Sequence, residues 1–291
     1  RSVLYTPSSL GARAPQSDIS EAARPDSAEV DLQRTIEEAG VMLCNAHRPV
    51  LVIGSDTWLD DAVDAIRTFI KEWRVPTIAN GMGRGILPPS DPLLVTRARS
   101  RALAEADLVI VAGAPLDFRL NYGSFGDHHD GQTAPTPVIH IVHGQSPDSP
   151  SAPHVRLLGG HLATTLETLS QSAGRLAATN PRWGELLAEA TQTTRASDAD
   201  LMSSDAQPIH PARIYGELLP RITANDVIIG DGGDFVSFAG RFIEPEQPGR
   251  WLDPGPFGCL GTGPGYALGA HVAHPDRSEE HTSELQSPCN L

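Results

Sequence analysis

Apolar residues along this chain form short uninterrupted runs that alternate with stretches of helical spacing. The runs lie at 49–54 (PVLVIG), 107–113 (DLVIVAG) and 137–142 (PVIHIV), with a shorter one at 75–80 (VPTIAN). Residues 58–73 carry apolar side chains at intervals of three and four, which is the spacing of an amphipathic helix. Apolar strands that alternate with helices predict a parallel β-sheet with both faces covered.

A second α/β pattern begins beyond residue 207, where a helix at 211–219, the strand DVIIG at 226–230 and a helix at 235–242 follow one another. The predicted fold class is therefore α/β, with a Rossmann-like central domain on a parallel sheet followed by a truncated second α/β domain. Further helices are predicted at 29–46, 96–106 and 161–173. The predicted divisions are 1–28 as a linker from a missing preceding domain, 29–189 as the central domain, 190–207 as a polar linker, 208–276 as the start of the second domain, and 277–291 as a tail.

The tail, RSEEHTSELQSPCNL, resembles the in-frame translation of a sequencing-library adaptor. We expect it to be an artefact, with a natural disordered tail as the alternative, and assign it no functional residue.

Charge and cysteine content limit the classes of function. A net charge of -14 argues against a nucleic-acid partner and against an anionic membrane surface. No apolar run reaches the length of a membrane span. Cys44, Cys259 and Cys289 share no CxxC spacing, so neither a disulfide framework nor a zinc site is indicated, which fits a reducing cytoplasm.

The most unusual segment is 251–270, WLDPGPFGCLGTGPGYALGA, which holds five glycines between positions 255 and 265. Glycine costs conformational entropy on folding, so such a cluster indicates that the backbone approaches a ligand or another backbone closely. The alternative is a tight loop that leads into a close-packed helix.

These segments together carry a family resemblance. The order of a proline-rich linker, an α/β domain with NGMGRGILPPSDP and GAPLDFR, a polar linker, and VIIGDGGDF followed by the glycine stretch resembles the thiamine-diphosphate enzymes. The similarity is to the acetolactate synthase group, with oxalyl-CoA decarboxylase and 2-hydroxyacyl-CoA lyase as relatives. It covers about residues 1–276, corresponding to the end of the first linker, the central domain and the start of the diphosphate-binding domain.

The resemblance implies a thiamine diphosphate site in the second domain. Leu260 matches a bulky apolar residue beneath the two rings of the cofactor, and Gly258, Cys259 and Gly261 lie beside the pyrimidine. Gly232 and Gly233 match the place where the diphosphate meets a helix start, where free N–H groups favour an anion. Asp234, a carboxylate at that position, is expected to be the N-cap of the helix rather than a ligand.

The family's catalytic glutamate and magnesium ligands have no match in this sequence. Gly230-Asp231-Gly232 imitates the start of the family's magnesium motif, but no Asn-Asn pair follows it anywhere in the chain. The activating glutamate belongs in the family to the first domain. We therefore assign no catalytic and no metal-binding residue here, place the Mg²⁺ ligands outside the chain, and expect the chain alone to be inactive.

The central domain resembles one that holds FAD in acetolactate synthases and ADP in the CoA lyases. Gly54, Gly83, Arg84 and Arg119 lie in the matching loops, and the two arginines suit phosphate groups. The alternatives are that Arg84 is solvated and that Arg119 pairs with its neighbour Asp117. His140 and His143 are expected to face opposite sides of a strand and to be structural rather than metal ligands.

The implied activity is the decarboxylation of a 2-keto acid and its condensation with a second keto acid, with pyruvate and acetolactate as the first choice. The runner-up is an oxalyl-CoA decarboxylase or 2-hydroxyacyl-CoA lyase acting on an acyl-CoA. From another class, the chain could be a non-catalytic nucleotide-binding module. The resemblance also implies a homodimer or homotetramer for the parent protein, though not for this chain alone, because family members build their active site between two subunits.

Overall fold

The computed structural model describes residues 25–126, 135–143, 154–173 and 181–275. The predicted linker at 1–28 therefore lies outside the described residues except for its last four positions, which are helical. The tail predicted at 277–291 lies outside them altogether.

The first part of the chain alternates strands and helices as the apolar pattern predicts. Every residue of the strands at Pro49–Ile53 and Leu108–Ala112 is buried, because each of these strands is covered on both faces. The elements in chain order are α1 (Pro25–Asn45), β1 (Pro49–Ile53), α2 (Asp56–Leu59), α3 (Val63–Trp73), β2 (Thr77–Ala79), α4 (Arg99–Glu105), β3 (Leu108–Ala112), β4 (Val138–His143), β5 (Val155–Gly160) and α5 (Leu162–Ala173).

The predicted helix at 58–73 is two helices, α2 and α3, because the chain turns between them. Asp61 has a φ of +52°, which no residue inside a right-handed helix adopts. The predicted helix at 96–106 begins with a 3₁₀ turn at Thr96–Ala98 that leads into α4.

The five strands form one parallel sheet in the order β2-β1-β3-β4-β5. This confirms the predicted α/β class with a parallel sheet. β5 was not predicted from the sequence. It is the edge strand beside β4, and its run VRLLGG contains an arginine and two glycines, so it lacks the continuous apolar signal of the central strands.

Helix α6 (Pro181–Met202) occupies much of the segment predicted as a polar linker at 190–207. Its buried face carries Trp183, Leu187, Thr191 and Asp198. Residues 190–202 are therefore helical, and only the last part of the predicted linker is irregular. The position of the domain boundary stays a prediction.

The remaining elements follow α6 and build a smaller α/β unit. Strands β6 (Ile228–Ile229) and β7 (Trp251–Leu252) pair in parallel, with Ile228 opposite Trp251. Trp251 is only 1% exposed and packs in a separate apolar cluster with Tyr215 and Phe242. The helices of this unit are α7 (Ala212–Leu218), α8 (Gly233–Phe242) and α9 (Gly263–Ala273).

Candidate functional site

The two predicted parts of the cofactor site meet at one edge of the β6–β7 sheet. Because β6 and β7 are parallel, the segments that follow them emerge at the same edge. Gly232 has a φ of +52° and immediately precedes α8, which begins at Gly233. A Cβ placed on Gly232 would lie 2.8 Å from Leu260 Cδ2 and 3.1 Å from Gly258 O. The structure thus brings the turn after β6 against the glycine stretch after β7.

Three glycines of this stretch combine a positive φ with open space beside them. Gly255, Gly258 and Gly261 have φ values of +65°, +59° and +86°, and a Cβ on any of them would meet no atom within 4 Å among the described residues. Positive φ explains why glycine is present. The open space means that close packing within the described chain does not explain them.

Two large apolar side chains stand exposed beside these glycines. Leu260 is 62% exposed and Phe257 is 86% exposed. Cys259, between Gly258 and Leu260, is also exposed. Exposed apolar side chains next to bare backbone form a surface on which a flat, partly apolar ligand can pack.

Asp231 and Asp253 hold the two sides of this edge in place. Asp231 accepts hydrogen bonds from Thr262 N at 3.0 Å and Thr262 Oγ1 at 3.2 Å, which ties the turn after β6 to the start of α9. Asp253 accepts one from Trp251 Nε1 at 2.7 Å and one from Gly255 N at 2.9 Å. Sequence reasoning missed Asp253, although aspartate two residues before a turn glycine is a recognised turn signal.

The start of α8 provides the features that an anion needs. The first turn of a helix leaves backbone N–H groups without an intrahelical partner, and the helix dipole favours negative charge there. The N-cap residue is Gly232, which has no side chain that could compete for those groups. The expectation that Asp234 is the N-cap is wrong: Asp234 lies inside the first turn of α8 and is exposed.

These residues fit a ligand with an anionic end and a flat ring. The helix start suits a diphosphate, and the open glycines with Leu260 suit a ring that must approach the backbone. Among the described residues, no cluster of His, Cys, Asp and Glu has the arrangement of a metal site.

The two glycines predicted to contact a nucleotide in the central domain have packing reasons of their own. A Cβ on Gly54 would lie 2.3 Å from Gly113 O and 2.4 Å from Ala114 Cβ. One on Gly83 would lie 2.9 Å from Ile53 O. Each position therefore requires glycine because the loops after β1, β2 and β3 pack backbone against backbone.

Arg119 pairs with Asp117, the alternative that the sequence left open. Its Nη2 lies 2.7 Å from Asp117 Oδ2, and its Nε lies 3.0 Å from the same oxygen. Sequence reasoning missed Arg99, whose Nη1 donates to Asn80 Oδ1 at 3.0 Å and whose Nη2 donates to Arg119 O at 2.5 Å. Burial lowers the pKa of Arg99, and Arg119 lowers it further. These side chains form a cationic group beside the loops after β2 and β3.

Arg84 contacts the second domain rather than other loops of the central sheet. Its Nη1 donates to Gly240 O in α8 at 2.9 Å, and its guanidinium lies 4.7 Å from the centroid of the Trp251 ring. The structure therefore gives Arg84 and Arg119 different partners, although the sequence grouped them.

His140 and His143 lie in different environments, as predicted for positions three apart on a strand. His140 is 2% exposed and donates from Nε2 to Ala114 O at 2.9 Å. Burial lowers the pKa of His140, and the bond to Ala114 opposes that shift. The exposed ring of His143 lies 2.9 Å from Asp60 Oδ1. Burial raises the pKa of Asp60, but hydrogen bonds from Leu162 N and His143 outweigh it and lower the pKa overall.

Two family models match this chain. The model described as "Thiamine pyrophosphate enzyme, central domain" matches residues 36–168. The model described as "Thiamine pyrophosphate enzyme, C-terminal TPP binding domain" matches residues 231–280, which include the edge formed by Gly232 and Leu260. The chain belongs to the thiamine pyrophosphate enzymes. Thiamine pyrophosphate is the same compound as thiamine diphosphate.

Relatives from two groups of this family are similar to the chain. The probable acetolactate synthase of Mycobacterium bovis and the acetolactate synthase large subunit IlvG of Mycobacterium tuberculosis are each 38% identical over 246 residues, which is 83% of this chain and 43% of each relative. Human 2-hydroxyacyl-CoA lyase 2 is 33% identical over 262 residues, 87% of this chain and 39% of that protein. The chain spans about two fifths of the length of these curated relatives.

Within the described ranges, no helix is both long enough and apolar enough to cross a bilayer.

Proposed function

We propose that the protein containing this chain uses thiamine diphosphate to decarboxylate a 2-keto acid and condense the product with a second keto acid, as an acetolactate synthase does. Pyruvate is the proposed substrate. The observation that carries the proposal is the contact of Gly232 with Gly258 and Leu260, because it joins a helix start suited to a diphosphate to a bare glycine edge suited to a ring.

We assign the residues of this edge as follows. Gly232 and Gly233, with the N–H groups of the first turn of α8, bind the diphosphate. Gly258, Cys259 and Gly261 present their backbone to the pyrimidine, and Leu260 packs beneath the rings. When bound, the cofactor would supply a nucleophilic carbon, and its positively charged ring would take up the electron pair left when carbon dioxide departs.

The chain's own residues position the cofactor and exclude water from one face of it. Asp231, through its bonds to Thr262, fixes the distance between the two halves of the edge. We propose that the activating glutamate and the Mg²⁺ ligands belong to other parts of the protein. We expect this chain alone to have no activity, because proton transfer requires that carboxylate within hydrogen-bond reach.

We keep FAD or ADP binding by the central domain as a second part of the proposal, with Gly54, Gly83 and Arg119 beside the nucleotide. Arg99 joins them, since it bonds to the backbone of Arg119. Arg119 is already paired with Asp117, so a phosphate would have to compete with that carboxylate.

The second candidate activity is that of a 2-hydroxyacyl-CoA lyase or oxalyl-CoA decarboxylase. The similarity to human 2-hydroxyacyl-CoA lyase 2 favours it, since the matched region includes most of this chain. A non-catalytic nucleotide-binding module is the alternative from another class. We also propose a homodimer or homotetramer located in the cytoplasm, with no nucleic-acid partner.

The test uses the full-length native protein, freed of cofactor and then supplied with thiamine diphosphate and Mg²⁺. Acetolactate formed from pyruvate only when thiamine diphosphate is present would support the first choice. Turnover of a 2-hydroxyacyl-CoA or oxalyl-CoA with no reaction of pyruvate would replace it with the second. Binding of FAD or ADP without turnover of any of these substrates would favour the module.

A further inference from the structure

Arg84 belongs to the loop after β2, but its guanidinium contacts two elements of the second domain. Nη1 donates a hydrogen bond to Gly240 O, in the last turn of α8. Cζ lies 4.7 Å from the centroid of the Trp251 ring in β7, a distance at which a cation is attracted to the face of an aromatic ring. One side chain of the central domain therefore bridges α8 and β7.

Glycines make room for this bridge. A Cβ on Gly240 would lie 3.1 Å from Arg84 Nη2 and 3.8 Å from Trp251 Cζ2. Gly85, next to Arg84, has a φ of +83°, and its Cβ would lie 2.0 Å from Gln247 O. The loop after β2 thus packs directly on the backbone that leads into β7. These contacts give a reason for its glycines that requires no phosphate.

The charges around Arg84 also favour the position of its guanidinium between α8 and β7. Burial lowers the pKa of Arg84 to about 10, and the carboxylates of Asp253 and Glu244 oppose that shift. The guanidinium is therefore a cation at neutral pH. Asp253 is also the residue that fixes Gly255 N, so the charge on Arg84 acts on the carboxylate that shapes the glycine stretch.

Helix α8 begins at the candidate cofactor edge, and strand β7 ends there. From Gly240 to Gly233 helix α8 runs about 10 Å, and a helix of this length moves as a rod. A shift at Gly240 would therefore move the helix start at which the diphosphate is proposed to bind. β7 leads within two residues to Asp253 and then to the open glycines.

We infer that Arg84 is a positioning residue for thiamine diphosphate: by bridging α8 and β7 it sets Gly232 against Leu260. This inference rests on the proposed function. It assigns Arg84 to the cofactor site of the second domain instead of a nucleotide site in the central domain. Arg84 acts from behind the site and makes no contact with the cofactor.

The experiment compares Arg84→Met, Arg84→Lys and Gly240→Ala with the wild type in the full-length native protein. Arg101→Met is the matched control, because Arg101 is exposed and bonds only its helical neighbour Glu105 among the contacts described for it. For each variant we would measure the Kd of thiamine diphosphate by calorimetry, kcat at saturating cofactor, and the Tm of the cofactor-free protein.

For Arg84→Met we expect Kd to rise at least tenfold, which equals about 1.4 kcal/mol, with kcat within twofold of the wild type. Arg84→Lys keeps the charge and should recover part of the affinity. Gly240→Ala separates a positioning role from a structural one. A Cβ at position 240 would press on Arg84 Nη2, 3.1 Å away, so a purely structural bridge predicts a changed Tm with an unchanged Kd, whereas positioning predicts a raised Kd.

An Arg84→Met protein with a lower Tm but a wild-type Kd would overturn the inference, as would equal Kd values for Arg84→Met and Arg101→Met. If the wild type itself fails to bind thiamine diphosphate, the proposed function fails and this inference fails with it. Failure of the proposed function and failure of the Arg84 inference alone are distinguishable. Only the former shows as a wild-type protein that does not bind thiamine diphosphate.

Discussion

Replacing Gly232 with alanine should weaken both the fold of the second domain and its binding of thiamine diphosphate. Gly232 has φ +52° and ψ 179°, a backbone region that is essentially restricted to glycine, and occupying it with another residue costs roughly 1–3 kcal/mol. The new Cβ would lie 2.8 Å from Leu260 Cδ2, which can move because Leu260 is exposed. It would also lie 3.1 Å from Gly258 O and 3.2 Å from Cys259 O, which are backbone atoms and cannot move independently.

We therefore expect Gly232→Ala to lower the free energy of unfolding by about 2 kcal/mol, with the strain as the larger part. A loss of 1 kcal/mol lowers Tm by roughly 2–8 °C in domains of about 60–250 residues, so Tm should fall by at least about 4 °C. The backbone contact should displace the 258–260 segment, so the Kd of thiamine diphosphate should rise at least about tenfold. Differential scanning calorimetry and calorimetric titration of the full-length protein would measure both quantities.

Gly184→Ala is the control for this experiment. Gly184 lies inside helix α6, and a Cβ there would meet no described atom within 4 Å. That substitution should leave Kd unchanged and keep or raise Tm, because alanine favours the helix by up to about 1 kcal/mol. Equal Tm and Kd for Gly232→Ala and the wild type would refute the geometry on which the site rests.

Three further predictions concern the buried charge, the buried histidine and the exposed leucine. Asp198 is 4% exposed and accepts hydrogen bonds from arginines of both domains, so Asp198→Asn should cost about 3 kcal/mol in chemical denaturation. Asp205→Asn, whose carboxylate is 96% exposed, should cost under about 1 kcal/mol, and equal losses would contradict the account. The lowered pKa of His140 means that the unfolded chain binds its proton more readily, so stability should fall as the pH drops below the ordinary histidine value of about 6.5. His140→Gln should flatten that dependence in denaturation measured from pH 7.5 to 5, whereas the exposed His47→Gln should not. Leu260→Ala should change Tm little, since Leu260 is 62% exposed, but should raise the Kd of thiamine diphosphate at least about threefold, and an unchanged Kd would remove Leu260 from the site.

The sequence predicted the elements whose signal is local. β1 and β3 are continuous apolar runs, and both are fully buried strands of the parallel sheet. β5 was missed because an edge strand needs less apolar surface, and its signal is weak in VRLLGG. Helix α6 was not predicted at all, and its second half was taken for a linker because its buried face includes the polar residues Thr191 and Asp198.

The burial of a charged residue in the second half of α6 is explained only by contacts with residues that are distant in the sequence. Asp198 is buried because Arg97 and Arg241 supply opposite charge from elsewhere in the chain. A single sequence does not reveal such partners. The i, i+4 spacing of Trp183, Leu187 and Thr191 was the local signal that could have predicted this helix.

The candidate site likewise has one part that the sequence predicted and one part that depends on contacts between distant residues. The resemblance to the family assigned the glycine stretch and Gly232 to one cofactor, and the structure places the two segments in contact. The sequence does not distinguish a glycine that leaves room for a ligand from one required by close packing. The two differ only in the atoms that a Cβ at that position would meet. Gly54 meets backbone at 2.3 Å, whereas Gly258 meets no described atom within 4 Å. The side chain of Arg84 likewise points toward Gly240 in α8, a contact that the residues next to Arg84 in the sequence do not reveal.

The most direct test of the central claim is amide hydrogen exchange of the full-length native protein with and without thiamine diphosphate. The account predicts that saturating cofactor slows exchange at residues 232–235 and 257–262 more than in the sheet strands β1 and β3. Saturable binding that leaves both segments unprotected, or no binding of thiamine diphosphate at all, would contradict it.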